Sequence, residues 1–354
     1  MDSVVPTPES VDAAWLTGVL REAGHAGVEV RGFVAERIGT GQIGRCIRFT
    51  LDLSGAGPAV PRSLVGKFPS EDAISRATGV GLGLYRKEVG FYRTLAPRLS
   101  ISTPRCYFAQ IEDRGPEFAL ILEDMAPAIP GDQIAGCSPE VARAAVLQLV
   151  GLHAPTWNDA SLRELDWVVE SSGGTRALYA QCFPGFVARY GKALEADLID
   201  ILGRVADSNG PPFVHPDDPF SIVHIDYRLD NLLIDASQDP PRVTVVDWQS
   251  FVLGSPLSDV AYLMGASLLP ETRRPVEREI VRAYHERLLA AGVPGYTWEH
   301  CWTDYRRGTF AGFAVAVVAS MIVQETTRGN EMFIAMASRH ARHALDLGAE
   351  EFLA

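Results

Sequence analysis

The chain has 354 residues, 47% of them hydrophobic, which suffices for two core-bearing domains of ordinary globular character. Its 32 basic and 44 acidic residues give a net charge of −12, which argues against a nucleic-acid binder, whose usual footprint is a basic patch. Cys46, Cys106, Cys137, Cys182 and Cys301 are odd in number and scattered. They form no C-x-x-C and no metal-ligand spacing, so they read as reduced thiols of a cytoplasmic protein.

The opening residues, Met1 to Pro6, lack the basic stretch of a secretion signal. Thr7-Pro8-Glu9 predicts a helix start, and Val11, Ala14, Trp15 and Leu20 supply its apolar face up to Gly24. Next comes Gly39-Thr40-Gly41-Gln42-Ile43-Gly44. G-x-G-x-x-G alone is a weak signal, and a dinucleotide-binding fold needs a helix after the glycines. Here Ile47, Phe49, Leu51 and Leu53 alternate with Arg48, Thr50 and Asp52, which is the period of a strand. The glycines are therefore expected in a hairpin turn, where backbone N–H groups can approach a phosphate closely. An ordinary β-turn is the bland alternative.

Residues 63–69 predict a strand with one inward lysine, Lys67, and a lysine among apolar neighbours needs a partner. The candidate is Glu88, on a helix over 84–92 with Leu84, Val89, Phe91 and Tyr92 as its apolar contacts. A plain surface acid is the competing reading, and Arg86 and Lys87 read as solvent-facing. Residues 106–109 and 118–122 predict two further strands, the second ending in Glu123-Asp124-Met125. The pattern then turns helical. Ser138-Pro139 starts a helix running to about His153, itself read as a satisfied core histidine. Residues 154–220 are interrupted by Trp, Gly and Pro, with one helix expected over 191–205. Further helices are expected over 275–291, 298–307, 309–324 and 331–347, with Glu277, Arg278 and Glu279 on a solvated face. The apolar run from Phe310 to Val323 is too short to span a bilayer.

The most informative stretch is 221–250. A short apolar strand leads into His224, Asp226, Arg228, Asp230 and Asn231. A second apolar run, 232–234, a Pro-rich turn and a third run, 243–246, deliver Asp247. The spacing is His-x-Asp-x-x-x-x-Asn, followed past a hairpin by Asp. Asp226 can orient a hydroxyl or take its proton, while Asn231 and Asp247 offer hard oxygen ligands suited to Mg²⁺. A polar hairpin with surface acids is the competing reading.

These residues resemble the aminoglycoside phosphotransferase and choline-kinase-like branch of the protein-kinase-like fold, including its ecdysteroid-kinase-like subgroup. His224-Ile225-Asp226 stands where that family usually writes His-Gly-Asp, with Ile225 as the departure. Asp247-Trp248-Gln249 stands where protein kinases write Asp-Phe-Gly, and 254–262 is similar to the segment that follows. The resemblance implies an α+β fold of two lobes: a small antiparallel sheet lobe, 1–124, and a larger, mostly helical lobe, 125–354. It implies ATP, or another nucleoside triphosphate, with Mg²⁺, and a small-molecule hydroxyl acceptor. An aminoglycoside, a choline-like amine, a sugar, a steroid or a hydroxyacyl thioester all fit that description. Gly39, Thr40, Gly41 and Gly44 would cover the nucleotide, Lys67 and Glu88 would position its phosphates, and Glu123 and Met125 would lie in the segment that holds adenine by its main chain. Asn231 and Asp247 would bind the metal. Asp226 would be the base and Arg228 a cation near the transferred group, with an Arg228–Asp230 surface ion pair as the alternative. Asp259 would orient the backbone of the catalytic loop. A nucleotide-binding but inactive regulatory module is the second reading, suggested only by Ile225.

Overall fold

The computed structural model describes residues 4–39, 41, 43–55, 57–113, 115–170, 174–208 and 218–353, and the elements below are those found among them. They fall into two compact units: Met1–Leu99 with Thr103–Pro127 and Val246–Ser250, and Ser100–Ser102 with Ala128–Val245 and Phe251–Ala354.

In the first unit, β1 (Glu29–Ile38), β2 (Gly44–Ser54), β3 (Ser63–Pro69), β4 (Cys106–Ile111) and β5 (Phe118–Glu123) form an antiparallel sheet in the order β1-β2-β3-β5-β4. The alternation in β2 does what its period predicts. Phe49, Leu51 and Leu53 join Leu64, Phe68, Ala119 and Ile121 in one buried layer, covered by Leu16, Val19 and Leu20 of α1 (Ala13–Glu22). The expected helix start at Thr7 makes only a short 3₁₀ turn, Pro8–Ser10; α1 begins later, where Asp12 accepts from Trp15 N–H at 2.7 Å. Two helices follow β3: α2 (Ala73–Gly81) and α3 (Leu84–Gly90). Lys87 on α3 is buried, contrary to the sequence expectation. It lies three residues after Leu84 and four before Phe91, on the apolar stripe, and burial lowers its pKa. Arg86 is half-buried.

Residues 246–250 belong to this unit because Trp248 is wholly buried in it. The indole stacks on Phe91 with centroids 3.9 Å apart, and its Nε1 donates to Thr103 Oγ1 at 3.1 Å. Asp247 is thereby held by the sheet-bearing unit, although the hairpin that delivers it belongs to the other.

The second unit contains the short strands β6 (Ile129–Pro130), β7 (Ser221–Val223), β8 (Leu232–Asp235), β9 (Arg242–Val245) and β10 (Val252–Gly254), paired as β6-β8-β9 and β10-β7. Its helices are α4 (Pro139–Gln148), α5 (Val150–His153), α6 (Gly174–Tyr190), α7 (Ala196–Asp207), α8 (Pro256–Ser267), α9 (Pro270–Ala290), α10 (Trp298–Gly308), α11 (Ala311–Ala314), α12 (Ser320–Ile322) and α13 (Thr327–Asp346). The helix expected over 138–153 is broken at Leu149, and the run 309–324 is broken by a wider π turn over Val315–Ala319.

Two differences from the sequence expectation are larger. The helix α6, missed beside the Gly and Pro breaks, runs through Pro184 and buries Tyr179, Phe186 and Tyr190, so packing overrides a locally unfavourable residue. Glu277 is buried rather than solvated. It shares one face of α9 with Arg273, Ile280, Val281, Tyr284 and Leu288, where Arg273 Nη1 (2.8 Å) and Tyr305 Oη (2.7 Å) donate to its Oε1. The core histidine reading of His153 matches its surroundings: its Nδ1 lies 2.8 Å from the Tyr284 hydroxyl.

Candidate active site

In the first unit, Gly39 and Gly41 lie in the connection between β1 and β2 and Gly44 opens β2, so a strand and not a helix follows the glycines; Thr40 lies outside the described residues. Gly39 has φ +72°, and a Cβ on Gly44 would lie 3.1 Å from the Phe68 carbonyl oxygen and 3.2 Å from Lys67 Cε. Glycine at these positions therefore answers a conformational need and a close approach.

Lys67 projects from β3 toward two acids. Its Nζ is 2.7 Å from Glu88 Oε1 on α3 and 2.7 Å from Asp247 Oδ1. Burial alone would lower the pKa of Lys67, but the Asp247 and Glu88 carboxylates outweigh it and keep the amine charged. The Glu88 carboxyl is pushed up by burial, and the nearby Asp247 adds to that against the pull of Lys67. The second oxygen of Asp247 accepts from Gln249 Nε2 at 3.1 Å, and Asp247 itself sits at φ +68°. Glu123 ends β5 and Met125 follows it. Between them Asp124 is pinned by Arg48 (2.7 Å) and by the Ser63 hydroxyl (2.8 Å), which fixes the chain where it leaves the sheet.

In the second unit, Asp226, Arg228 and Asn231 come together. Asp226 Oδ1 accepts from Arg228 Nε (2.9 Å) and from the Tyr262 hydroxyl (3.0 Å), and Oδ2 accepts from Asn231 Nδ2 (2.9 Å). Arg228 also bonds Asp230, so it is fixed by two carboxylates in a half-buried position and is not a loose surface pair. Asp230 is held in turn by Arg328 at 3.2 Å and by the backbone N–H of the buried Gln133 at 3.2 Å.

Ile225 adopts φ +72°, a conformation that suits glycine and is strained for a β-branched residue. Asp259 holds it there: its Oδ2 accepts from His224 N–H at 2.6 Å and its Oδ1 from Ile225 N–H at 3.0 Å. The isoleucine thus takes the backbone shape that glycine would take. Three contributors escape a sequence-only reading: Tyr262, Gln133 and Gln249. Only Tyr262 left a local signal, since it follows Asp259 by three residues on α8 and so faces the same way.

The sequence model of the phosphotransferase enzyme family matches residues 76–299, well over half of the chain. The chain belongs to this family. As a family member it is an enzyme that transfers phosphoryl groups to small-molecule hydroxyls. No curated protein matches the chain. Among solved structures it is similar to the choline kinase of Cryptosporidium parvum Iowa II, at 11% identity and a TM-score of 0.56, covering 96% of each chain. It is also similar to the wild-type aminoglycoside 2′-phosphotransferase-IIIa in its GDP complex, at 14% identity and a TM-score of 0.55, covering 94% of this chain and 99% of that one. At such identities the likeness establishes the fold: the protein-kinase-like α+β architecture, with an antiparallel sheet unit and a helical unit.

Proposed function

We propose that this phosphotransferase uses ATP with Mg²⁺ and acts on a small-molecule hydroxyl in the cytoplasm. Asp226 orients the acceptor hydroxyl and takes its proton as the hydroxyl oxygen bonds the γ-phosphorus and the bond to the β-phosphate bridge breaks, releasing ADP. Arg228 places a fixed positive charge beside that centre. Lys67 binds phosphate oxygens and Glu88 holds Lys67 in position. Gly39, Thr40, Gly41 and Gly44 lend backbone N–H groups to the phosphates, and the main chain around Glu123 and Met125 receives the base.

The donor chemistry fits a hard cation. Asn231 uses its amide nitrogen for both of its bonds, to Asp226 O and Oδ2, which leaves the amide oxygen available, and Asp247 supplies a carboxylate. Mg²⁺ held by these oxygens would neutralise phosphate charge. No helix among the described residues is long and apolar enough to cross a membrane.

The observation that carries the reading is the three-point grip on the Asp226 carboxylate by Arg228, Tyr262 and Asn231, which fixes the direction in which a base would face. Ile225, the one residue that suggested an inactive module, is accommodated in a glycine-like backbone. The test is a panel of hydroxyl acceptors with ATP and Mg²⁺, read as ADP formation. The reading predicts acceptor-dependent ADP with at least one class, falling at least a hundredfold in Asp226→Asn, at the low end of the usual general-base contribution of roughly 10²–10⁴. Equal ADP formation by Asp226→Asn would contradict it.

A further inference from the structure

Of the three donors on the Asp226 carboxylate, Arg228 and Asn231 lie on the same loop as Asp226 itself. The third comes from a buried helix. Tyr262 of α8 is 1% exposed, and its hydroxyl reaches Asp226 Oδ1 at 3.0 Å. One turn earlier on α8, Asp259 takes the N–H groups of His224 and Ile225. One face of a core helix therefore grips both the backbone before Asp226 and its side chain.

The tyrosine ring is itself braced. It stacks on His340 of α13, with centroids 5.1 Å apart and planes 30° apart. The imidazole of His340 is wedged between two backbones: a Cβ on Gly265 would lie 2.6 Å from it, and one on Gly312 only 2.2 Å. Neither ring nitrogen of His340 has a hydrogen-bond partner, so the ring acts by shape. Burial, with the nearby His343 and Arg339, holds its pKa well below the usual value and leaves it neutral.

We propose that Tyr262 is a positioning residue for the acceptor step, tying the Asp226 carboxylate to the core while Arg228 and Asn231 turn toward the phosphates and the metal. The proposal rests on the reading of Asp226 as the base. When Arg228 serves the transferred group, Tyr262 is the donor that stays on Oδ1. Burial and the adjacent Asp226 raise the tyrosine pKa well above its usual value, so the hydroxyl keeps its proton and remains a donor. The competing account is that Asp226 merely satisfies a buried hydroxyl, in which case the bond matters for folding alone.

Tyr262→Phe separates the two, because it keeps the ring and its stack and deletes only the hydroxyl. The probe is ATP with Mg²⁺ and water as the acceptor, with phosphate release measured for wild type, Tyr262→Phe and Asp226→Asn. The melting temperature of each is recorded with and without ATP and Mg²⁺. Tyr262→Phe is expected to lower kcat roughly tenfold, equivalent to about 1.4 kcal/mol. The KM for ATP, the melting temperature and its nucleotide-dependent rise should stay at wild-type values. Wild-type kcat in Tyr262→Phe, with loss in Asp226→Asn, overturns the proposal and leaves the base assignment standing. A lowered melting temperature with unchanged kcat does the same. An Asp226→Asn variant at the wild-type rate overturns the base assignment and the proposal together.

Discussion

Glu88 and Glu277 are both buried helical acids, one in each unit, and their surroundings treat them in opposite ways. Glu88 shares a single lysine with Asp247, and burial pushes its carboxyl up. Glu277 meets His343 at 2.7 Å, Arg273 at 2.8 Å and the Tyr305 hydroxyl at 2.7 Å. Burial alone would raise the Glu277 carboxyl, but the His343, Arg273 and Tyr305 partners outweigh that and hold it down at about 2. A carboxylate with partners to spare holds its fold together. One that divides a cation with a second acid leaves that cation less fully matched, which is what the proposed role of Lys67 at the phosphates would require.

The sharpest way to break the comparison is to remove each acid. Glu277→Ala strands the buried Arg273 with only Asp346 and should cost about 3–5 kcal/mol in urea unfolding, with any nucleotide-dependent rise in melting temperature preserved. A cost below about 1 kcal/mol would place Glu277 with ordinary surface acids.

The two acids also predict opposite pH dependences. For Glu277 the folded pKa lies below the ordinary glutamate value of 4.5, so its contribution is present above that value and fades as the pH falls toward about 2. Urea midpoints between pH 5 and pH 2 should fall, and Glu277→Gln should flatten that fall. For Glu88 the folded pKa is raised, so the folded state binds the proton more readily, and stability declines as the pH rises through the window above 4.5. Glu88→Gln should remove that decline.

At neutral pH, Glu88→Gln should change stability by no more than about 1 kcal/mol, because the cost of burying the carboxylate offsets much of what its pair with Lys67 contributes. Its effect should appear in ATP affinity by calorimetry, as a loss of roughly tenfold, or about 1.4 kcal/mol. The smallest expected effect is that of Ile225→Gly. It relieves about 1–2 kcal/mol of left-handed strain and gives back roughly 0.5–1 kcal/mol through added chain entropy. Urea unfolding should show a net gain under about 1 kcal/mol with kcat maintained. A clear loss of stability would mean that the isoleucine side chain has a packing role.

What the sequence reveals about these two regions differs for a physical reason. Lys67 stands alone in an apolar strand, and the period-two alternation after Gly44 settles that a strand follows the glycines, so the sheet unit is legible from short-range pattern. Asp226, Asn231 and Asp247 are likewise fixed by spacing within one stretch. Glu277 and Lys87 defeat a charge-based reading, because each sits on the apolar stripe of its helix. The positions of Ile280, Val281 and Tyr284 after Glu277, and of Leu84 and Phe91 around Lys87, carried that signal. The course of α6 through Pro184 and the attachment of Trp248 to the sheet unit depend on contacts distant in sequence, which no local pattern encodes.

The central claim is that the Lys67–Glu88–Asp247 cluster serves a metal-bound nucleoside triphosphate. It is tested most directly by melting the wild type and Asp247→Ala with ATP alone and with ATP and Mg²⁺. The account predicts a rise that requires the metal, equivalent to about 2.7 kcal/mol at a hundredfold excess over Kd, and its loss in Asp247→Ala. No rise in the wild type at millimolar ATP with Mg²⁺, or an equal rise in the variant, would contradict it.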